Sequence, residues 1–546
     1  MNEGLTKKNN VLNLTTYQFR KEEPYRKRDD VMFWIASTAI IVPLVCLVFL
    51  RMNALKGMSI SLLSVLGAAY YWKMSMTVIG ASMIQGVFKA FAIIFILFGA
   101  TVLLQTLEKT GAIRWVEKSF TAISTDLNIL LILIAFLFGS LIEGVAGFGT
   151  PAIIAAPILI AVGFSPFAAV VLTLMANKAA VPFGAVGVPT FIGFSNIKQA
   201  NWGAFQEISQ VLSILDFLNI AITPLLLIIF YHVLFTKQYA MIKRYVVFSL
   251  MIGISYAIFG YVYIHYVGFE FVSILAPITV FIFAIVFIKK GIFVPKEAVP
   301  TTTLSYSMVC RSWSTYAIVV VLLLLTRTVA PVQQFLQEKK YVWENILGQA
   351  NIHAEVDFFY SPSLVLIIAA LLGIVVMGQS VRHFKTSVST AFKKVSRPSL
   401  VLIITLMFVQ LFSNSSMNMI GQLSMPEQIA YTLMDHFGSV WLIMAPLLGL
   451  LGTFITGSAT VSTLTFAPIQ EVAAEQLQLP KDLVFATQMG GASAGTMLSI
   501  NNIISATAMI GMIGKEGRVL TKNILMASTY IIITIMMNYV LLSFMP

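Results

Sequence analysis

The chain alternates long apolar runs with short polar breaks. Runs bounded by charge, proline or glycine lie near residues 31–50, 58–76, 82–107, 207–234, 245–267, 271–288, 315–336, 361–379, 398–413 and 521–543. Most approach or exceed the roughly 18–20 residues that let a helix cross a bilayer core. The pattern predicts an all-α polytopic membrane protein. Two further zones, 127–190 and 439–510, are as apolar but studded with Gly, Ser, Thr and Asn, so neither reads as plain helix. Each is expected to hold a re-entrant hairpin (127–163 and 440–475) followed by a broken helix (168–190 and 483–508). Irregular backbone at membrane depth is tolerated where protein or a polar cavity surrounds it. The whole then comes to about twelve transmembrane helices plus two hairpins and two broken helices. By position, a polar N-terminal tail (1–30) precedes a first repeat (31–234), connecting and scaffold helices (245–379) and a second repeat (398–546).

Composition removes the soluble classes. Of 546 residues, 58% are apolar and 11% charged, against roughly 45–50% and 25% in an ordinary soluble domain. The excess of 35 Lys and Arg over 23 Asp and Glu gives +12, which in a soluble chain would suggest nucleic acid. Here short loops account for it, since cytoplasmic loops of membrane proteins collect Lys and Arg. Segments 237–244, 289–296 and 382–397 are basic and read as cytoplasmic; 338–357, with Glu338, Glu344, Glu355 and Asp357, reads as external. No nucleic-acid partner is expected. Cys46 and Cys310 form no metal or disulfide framework, the tail carries no signal peptide, and no Walker, Rossmann, zinc or Ser-His-Asp arrangement is present. A cofactor, a metal and an enzymatic activity are therefore not expected.

The two irregular zones match one another at an offset of 313, which pairs Gly139 with Gly452, Ile142 with Ile455, Gly144 with Gly457 and Thr150 with Thr463. Each zone has a polar break (Glu143-Gly144; Thr456-Gly457-Ser458) and a second break at Asn177 or Gly490. Counting spans, the first zone is entered from the cytoplasm and the second from outside. Inverted repeats with broken helices are a transporter signature that puts the binding site at mid-membrane.

Four constellations carry the candidate chemistry. In 139–159, Gly144, Gly147, Gly149 and Pro151 force a turn, and Glu143 sits at it. An intramembrane carboxylate is costly and marks a pathway by default; Glu143 is either a proton carrier or a fixed anchor for backbone amides or a nearby cation. In 174–190, Asn177 and Lys178 interrupt an apolar helix that Pro182, Gly184, Gly187 and Pro189 keep from resuming. Lys178 attracts an anionic substrate, pairs with Glu143 or another acid, or snorkels to the interface. Segments 454–466 and 487–502 are rich in hydroxyls and exposed amides, suited either to a carboxylate at half-helix N-termini or to close helix contacts. Asp216, Arg327 and the cluster Ser413–Ser416 are lesser candidates, read as packing or interface groups.

At these same residues the sequence resembles the L-lactate permease family. The likeness is densest in IEGVAGFGTPAIIAA and GFSPFAAVVLTLMANKAAVPFGAVGVP (142–189), and again in GTFITGSATVSTLTFAPIQEVAAEQ and GGASAGTMLSINNIISATAMIGMIGKEG (452–517). The resemblance implies a secondary transporter of L-lactate and related short 2-hydroxymonocarboxylates such as glycolate, driven by proton symport. It points to Glu143, Gly144, Gly147 and Gly149, to Asn177, Phe183 and Gly184, to Gly457, Ser458 and Thr460, and to Gly490, Gly491, Met497 and Ser499. The chain departs from the usual pattern at Ala459, where Asp is common, at Lys178, where Thr is common, and at Thr496, where Lys is common. One acid and one base are gone from the second repeat, and one base has appeared in the first.

The expected protein is a multi-pass importer in the cell membrane that binds its carboxylate at Gly144, Gly147, Gly149, Asn177, Lys178, Gly457, Ser458, Thr460, Gly490, Gly491 and Ser499. Proton coupling falls to Glu143 and Lys178. Its partners are the small carboxylate, protons and membrane lipid, and an oligomer is compatible with the sequence. The alternatives are a transporter of another small organic anion with different ion coupling, or a passive anion channel.

Overall fold

The computed structural model describes residues 30–46, 50, 52, 54–147, 149–292, 294, 306–512 and 515–545. Residues 1–29 of the N-terminal tail and Lys296 of the basic segment 289–296 lie outside them. The described residues are helical almost throughout; Tyr341–Trp343 and Ala354–Val356 pair antiparallel inside the acidic segment 338–357, and Met74 and Asn418 form an isolated antiparallel bridge. Nine described helices are long and apolar enough to span a bilayer, or ten if the bent pair Pro166–Ala179 and Val181–Phe191 counts as one span. Of the expected runs, 31–50, 58–76 and 361–379 are not among these: Val31–Leu44 and Pro362–Val376 are apolar but shorter than 18 residues, and Ala54–Tyr71 falls outside the set, while Leu127–Val145, expected as a hairpin arm, is within it.

A scaffold forms around Met76–Lys109 and Arg382–Ser413, the most extensively packed helix pair. Ser75 starts the first by accepting the Val78 N–H at 3.2 Å. The two approach so closely that a Cβ on Gly86 would lie 2.6 Å from Leu406 O, the small-residue contact that membrane helices favour. Residues 382–397, expected as a loop, are the first half of the second helix: a basic face is no obstacle to helix where the headgroup region or water takes the charge. The run 207–234 likewise divides into Trp202–Leu215 and Phe217–Tyr231, with Asp216 at the junction.

Both irregular zones fold as helical hairpins followed by interrupted helices. The first arm of the first hairpin runs through Leu127–Leu131, a π-helical stretch Ile132–Phe138, and Gly139–Ala146, and the return arm is Thr150–Ala161. The second hairpin is Trp441–Thr456 and Ala459–Gln476. Their open ends pack in different places. Asp126 at the base of the first accepts the Tyr245 hydroxyl, and His232 Nε2 bonds Asn128 Oδ1 at 2.9 Å, beside the basic segment 237–244. At the base of the second, Glu471 accepts the Lys198 N–H at 3.1 Å and Glu475 pairs with Lys198 Nζ at 2.8 Å. The bent helix Pro166–Phe191 starts next to the first base and ends next to the second, so the hairpins enter the bundle from its two ends.

Candidate functional site

The bend in the first interrupted helix has a local cause. After Pro166–Ala176 the chain passes through two short 3-10 turns, Asn177–Ala179 and Val181–Phe183, then restarts at Gly184–Phe191 with a 64° change of direction. Pro182 lacks the N–H an α-helix would use. Ala185, Val186 and Gly187 follow with φ of 43°, 60° and 81°. Three left-handed residues in a row, two of them with a Cβ, store strain of about 1–3 kcal/mol per non-glycine position. The second interrupted helix, Lys481–Gly495 and Ile500–Met509, breaks at Thr496–Ser499.

Both hairpin tips turn through left-handed glycine. Gly147 and Gly149 have φ of 63° and 76°, and Gly457 ends its helix at φ 81°. Ser458 then caps the return arm, accepting the Val461 N–H at 3.3 Å. The tips therefore correspond at Gly147 and Gly457, three residues away from the register of 313, which placed Gly144 opposite Gly457.

The two tips and the two breaks close around one narrow cavity. The first hairpin contributes Glu143, Gly147 and Gly149; the second contributes Gly457, Ser458, Ala459 and Thr460. Val181, Gly184 and Ala185 come from the first break, Thr496 and Asn502 from the second. Three helix N-termini end here, at Gly149, Ser458 and Ile500, and their free N–H groups and dipoles favour an anion. Glu143 is buried on the wall with Asn177 and the Gly149 N–H facing its carboxyl, while its Oε2 has no protein partner. Gly184 lies so close that a Cβ there would sit 2.8 Å from Glu143 Oε1.

The remaining expected site residues are placed differently. Gly144 faces away from the cavity, where a Cβ would meet Ser273 O at 2.4 Å. Gly490 and Gly491 lie inside Lys481–Gly495, so the break falls after them; Gly491 is a close helix contact against Pro446 O, while Gly490 has nothing nearer than Thr534. Met497 and Ser499 are in the second break but buried behind the lining, Ser499 Oγ accepting the Asn502 N–H at 3.3 Å. Phe183 is on the far side of the first break.

Lys178 is fully buried and pairs with Asp216, not Glu143. Its ammonium also lies 5.2 Å from the centre of the Tyr530 ring. Asp216 accepts the Asn219 amide at 3.0 Å, which reaches Thr534 at 3.0 Å, and Thr223 bonds Tyr530 at 2.8 Å. Lys178 is thus spent inside a network joining the first break to Phe217–Tyr231 and Glu516–Phe544, and among the described residues no cation lines the cavity. Sequence reasoning missed Asn502 and Val181 as lining residues; the Asn501-Asn502 dyad at a helix start was the available signal.

These positions fall within a recognisable family pattern: the L-lactate permease profile matches residues 32–545. The chain belongs to the L-lactate permease family. It is 28% identical over 479 residues to a putative L-lactate permease of Haemophilus influenzae, covering 83% of this chain and 88% of that protein. The L-lactate permease of Escherichia coli K12 is 25% identical, with 94% and 97% covered. The glycolate permease GlcA of the same organism is 26% identical, with 93% and 95% covered. Among solved structures, the Alcanivorax borkumensis YdaH transporter aligns over 84% of this chain and 87% of its own at 13% identity and a TM-score of 0.40, a likeness too slight to bear on the architecture. Family membership and the long apolar helices make this permease-family chain a multi-pass membrane protein.

Proposed function

We propose that this family member imports L-lactate or a related short 2-hydroxymonocarboxylate such as glycolate by proton symport, across the cell membrane. The observation that carries the reading is the cavity where both hairpin tips and both helix breaks converge, walled by Glu143 and by three helix N-termini. The names of the relatives supply the substrate class. N–H groups at the tips, with the hydroxyls of Ser458 and Thr460, receive the carboxylate and the 2-hydroxyl; Glu143 takes the proton. Binding without a cation in the wall suits a substrate that must be released again, because helix dipoles are each worth only about 0.3–2 kcal/mol.

The opposed hairpins support an inverted-repeat reading. Each hairpin's return arm packs against the other repeat's broken helix: Thr150–Ala161 against Ile500–Met509, and Ala459–Gln476 against Gly184–Phe191. Such reciprocal contacts fit a carrier that exposes one central site to either side in turn.

Uptake of labelled L-lactate into proteoliposomes under an inward proton gradient tests the reading. Accumulation above equilibrium is expected, with glycolate competing. Equilibration without accumulation would make the protein a passive anion pathway, and accumulation unaffected by Glu143→Gln would remove that residue from the coupling step.

A further inference from the structure

A second crevice lies on the opposite side of the first break. Pro182 and Phe183 separate it from the substrate cavity, to which the adjoining Val181 and Gly184 belong. Asp216 and Tyr256 line it, and it runs along Gly260 to Tyr261, a partly exposed residue near the end of Tyr239–Tyr266.

Polar atoms without a protein partner concentrate around this wall. They are Asp216 Oδ2 and Tyr256 Oη on the crevice side, Ser140 Oγ and Asn177 Oδ1 within the wall, and Glu143 Oε2 on the cavity side. The Tyr256 hydroxyl faces Ser140, one helical turn before Glu143. Buried polar groups are nearly always satisfied, by ordered water where protein does not reach, and in lipid surroundings leaving them bare costs several kcal/mol each. Tyr256 shares the crevice with Asp216, and Ser140 lies one turn from Glu143, whose carboxyl Asn177 faces.

We propose that Asp216 is a second proton-exchange group, joined to Glu143 by bound water passing Tyr256 and Ser140 and opened to one membrane face by its own crevice. The proposal rests on the proton-coupled reading above and extends it. A proton arriving from water binds Asp216 Oδ2. Onward transfer needs no other reactant: the Tyr256 oxygen accepts a proton as its own passes to the next water, and Glu143 Oε2 receives the last. The groups around Asp216 are Lys178 from the break, Tyr256 from Tyr239–Tyr266 and Tyr530 from Glu516–Phe544. While Asp216 holds the proton, the Lys178 charge is uncompensated, and a substrate carboxylate across the break offsets it. Proton and anion therefore load together.

The test compares wild type, Tyr256→Phe and Ser140→Ala in proteoliposomes with L-lactate as the probe. Tyr256→Phe keeps the ring, packed 5.1 Å from Phe136, and removes only the hydroxyl. Proton-driven accumulation is expected to slow by about a hundredfold, the low end for loss of a positioned proton-transfer group, while lactate–lactate counterflow continues. Wild-type accumulation in both variants overturns the proposal, as does counterflow that falls as far as accumulation. A wild-type protein that exchanges lactate without moving protons refutes the coupling reading itself and the relay with it. High-resolution density is expected to show water between Asp216 and Tyr256; a dry crevice overturns the relay even where coupling stands.

Discussion

Replacing Lys178 by Met should destabilise the protein far more than removing both members of its ion pair. Lys178 has no solvent exposure, and its carboxylate partner keeps only the Asn219 amide at 3.0 Å once the ammonium is gone. Breaking a buried pair by deleting one partner costs about 3–5 kcal/mol, because the other charge is left uncompensated. Loss of the contact with the Tyr530 ring at 5.2 Å adds about 0.5–2 kcal/mol. Asp216→Leu in the same chain removes the orphan and fills its space, and such replacement of a buried pair by apolar groups is close to neutral. Unfolding in mixed SDS micelles, read by tryptophan fluorescence, gives the four corners of the cycle. The single variant should lose about 3.5–7 kcal/mol and the double variant about 1 kcal/mol or less. A Lys178→Met protein as stable as wild type, or a double variant no better than the single, would refute the view that these charges exist for each other.

Two further outcomes follow from the backbone. Gly490→Ala should leave uptake and folding intact, since its Cβ meets nothing nearer than Thr534 at 3.5 Å; Gly491→Ala, whose Cβ would lie 1.9 Å from Pro446 O, should lower the yield of folded protein by an overpacking cost of about 1–3 kcal/mol or more, measured by size-exclusion recovery. Val186→Gly should lower thermal stability, since the buried side chain it removes is worth about 1.5–3 kcal/mol and the left-handed strain relieved at φ 60° about 1 kcal/mol, and a slower uptake rate at equal expression would show that the strain assists the transport cycle.

The places where the apolar pattern fails were legible in the sequence, and they are where the cavity forms. Gly147, Gly149, Gly457 and Ser458 could be found because a tip needs left-handed backbone and a cap, which few residue types supply. Register was harder to read. Matching small residues at an offset of 313 aligned Gly144 with Gly457, although the turn needs positive φ at Gly147 and Gly144 serves a helix contact. Gly491 misled for the same reason: glycine marks both breaks and close packing, and only the neighbour across the interface, here Pro446, separates the two. Asp216 as partner of Lys178 was out of reach, because 38 residues of chain lie between them and nothing in local periodicity brings them together. The helical start of 382–413 was hidden by its charges, which mark the side of the membrane without specifying coil.

The first hairpin's leading arm bears on how the protein is made. Leu127–Val145 is apolar and long enough to be taken for an ordinary span, yet its window is wholly enclosed by protein. During synthesis such a segment partitions toward lipid as readily as its neighbours, whereas in the finished fold it touches none. Its place is available only after later helices, Tyr239–Tyr266 and Phe269–Lys290 among them, have closed around it. A chain stopped before residue 290 should therefore hold this arm as a conventional crossing, with the tip that becomes half of the cavity stranded at the opposite surface, and glycosylation mapping of such truncated chains checks it.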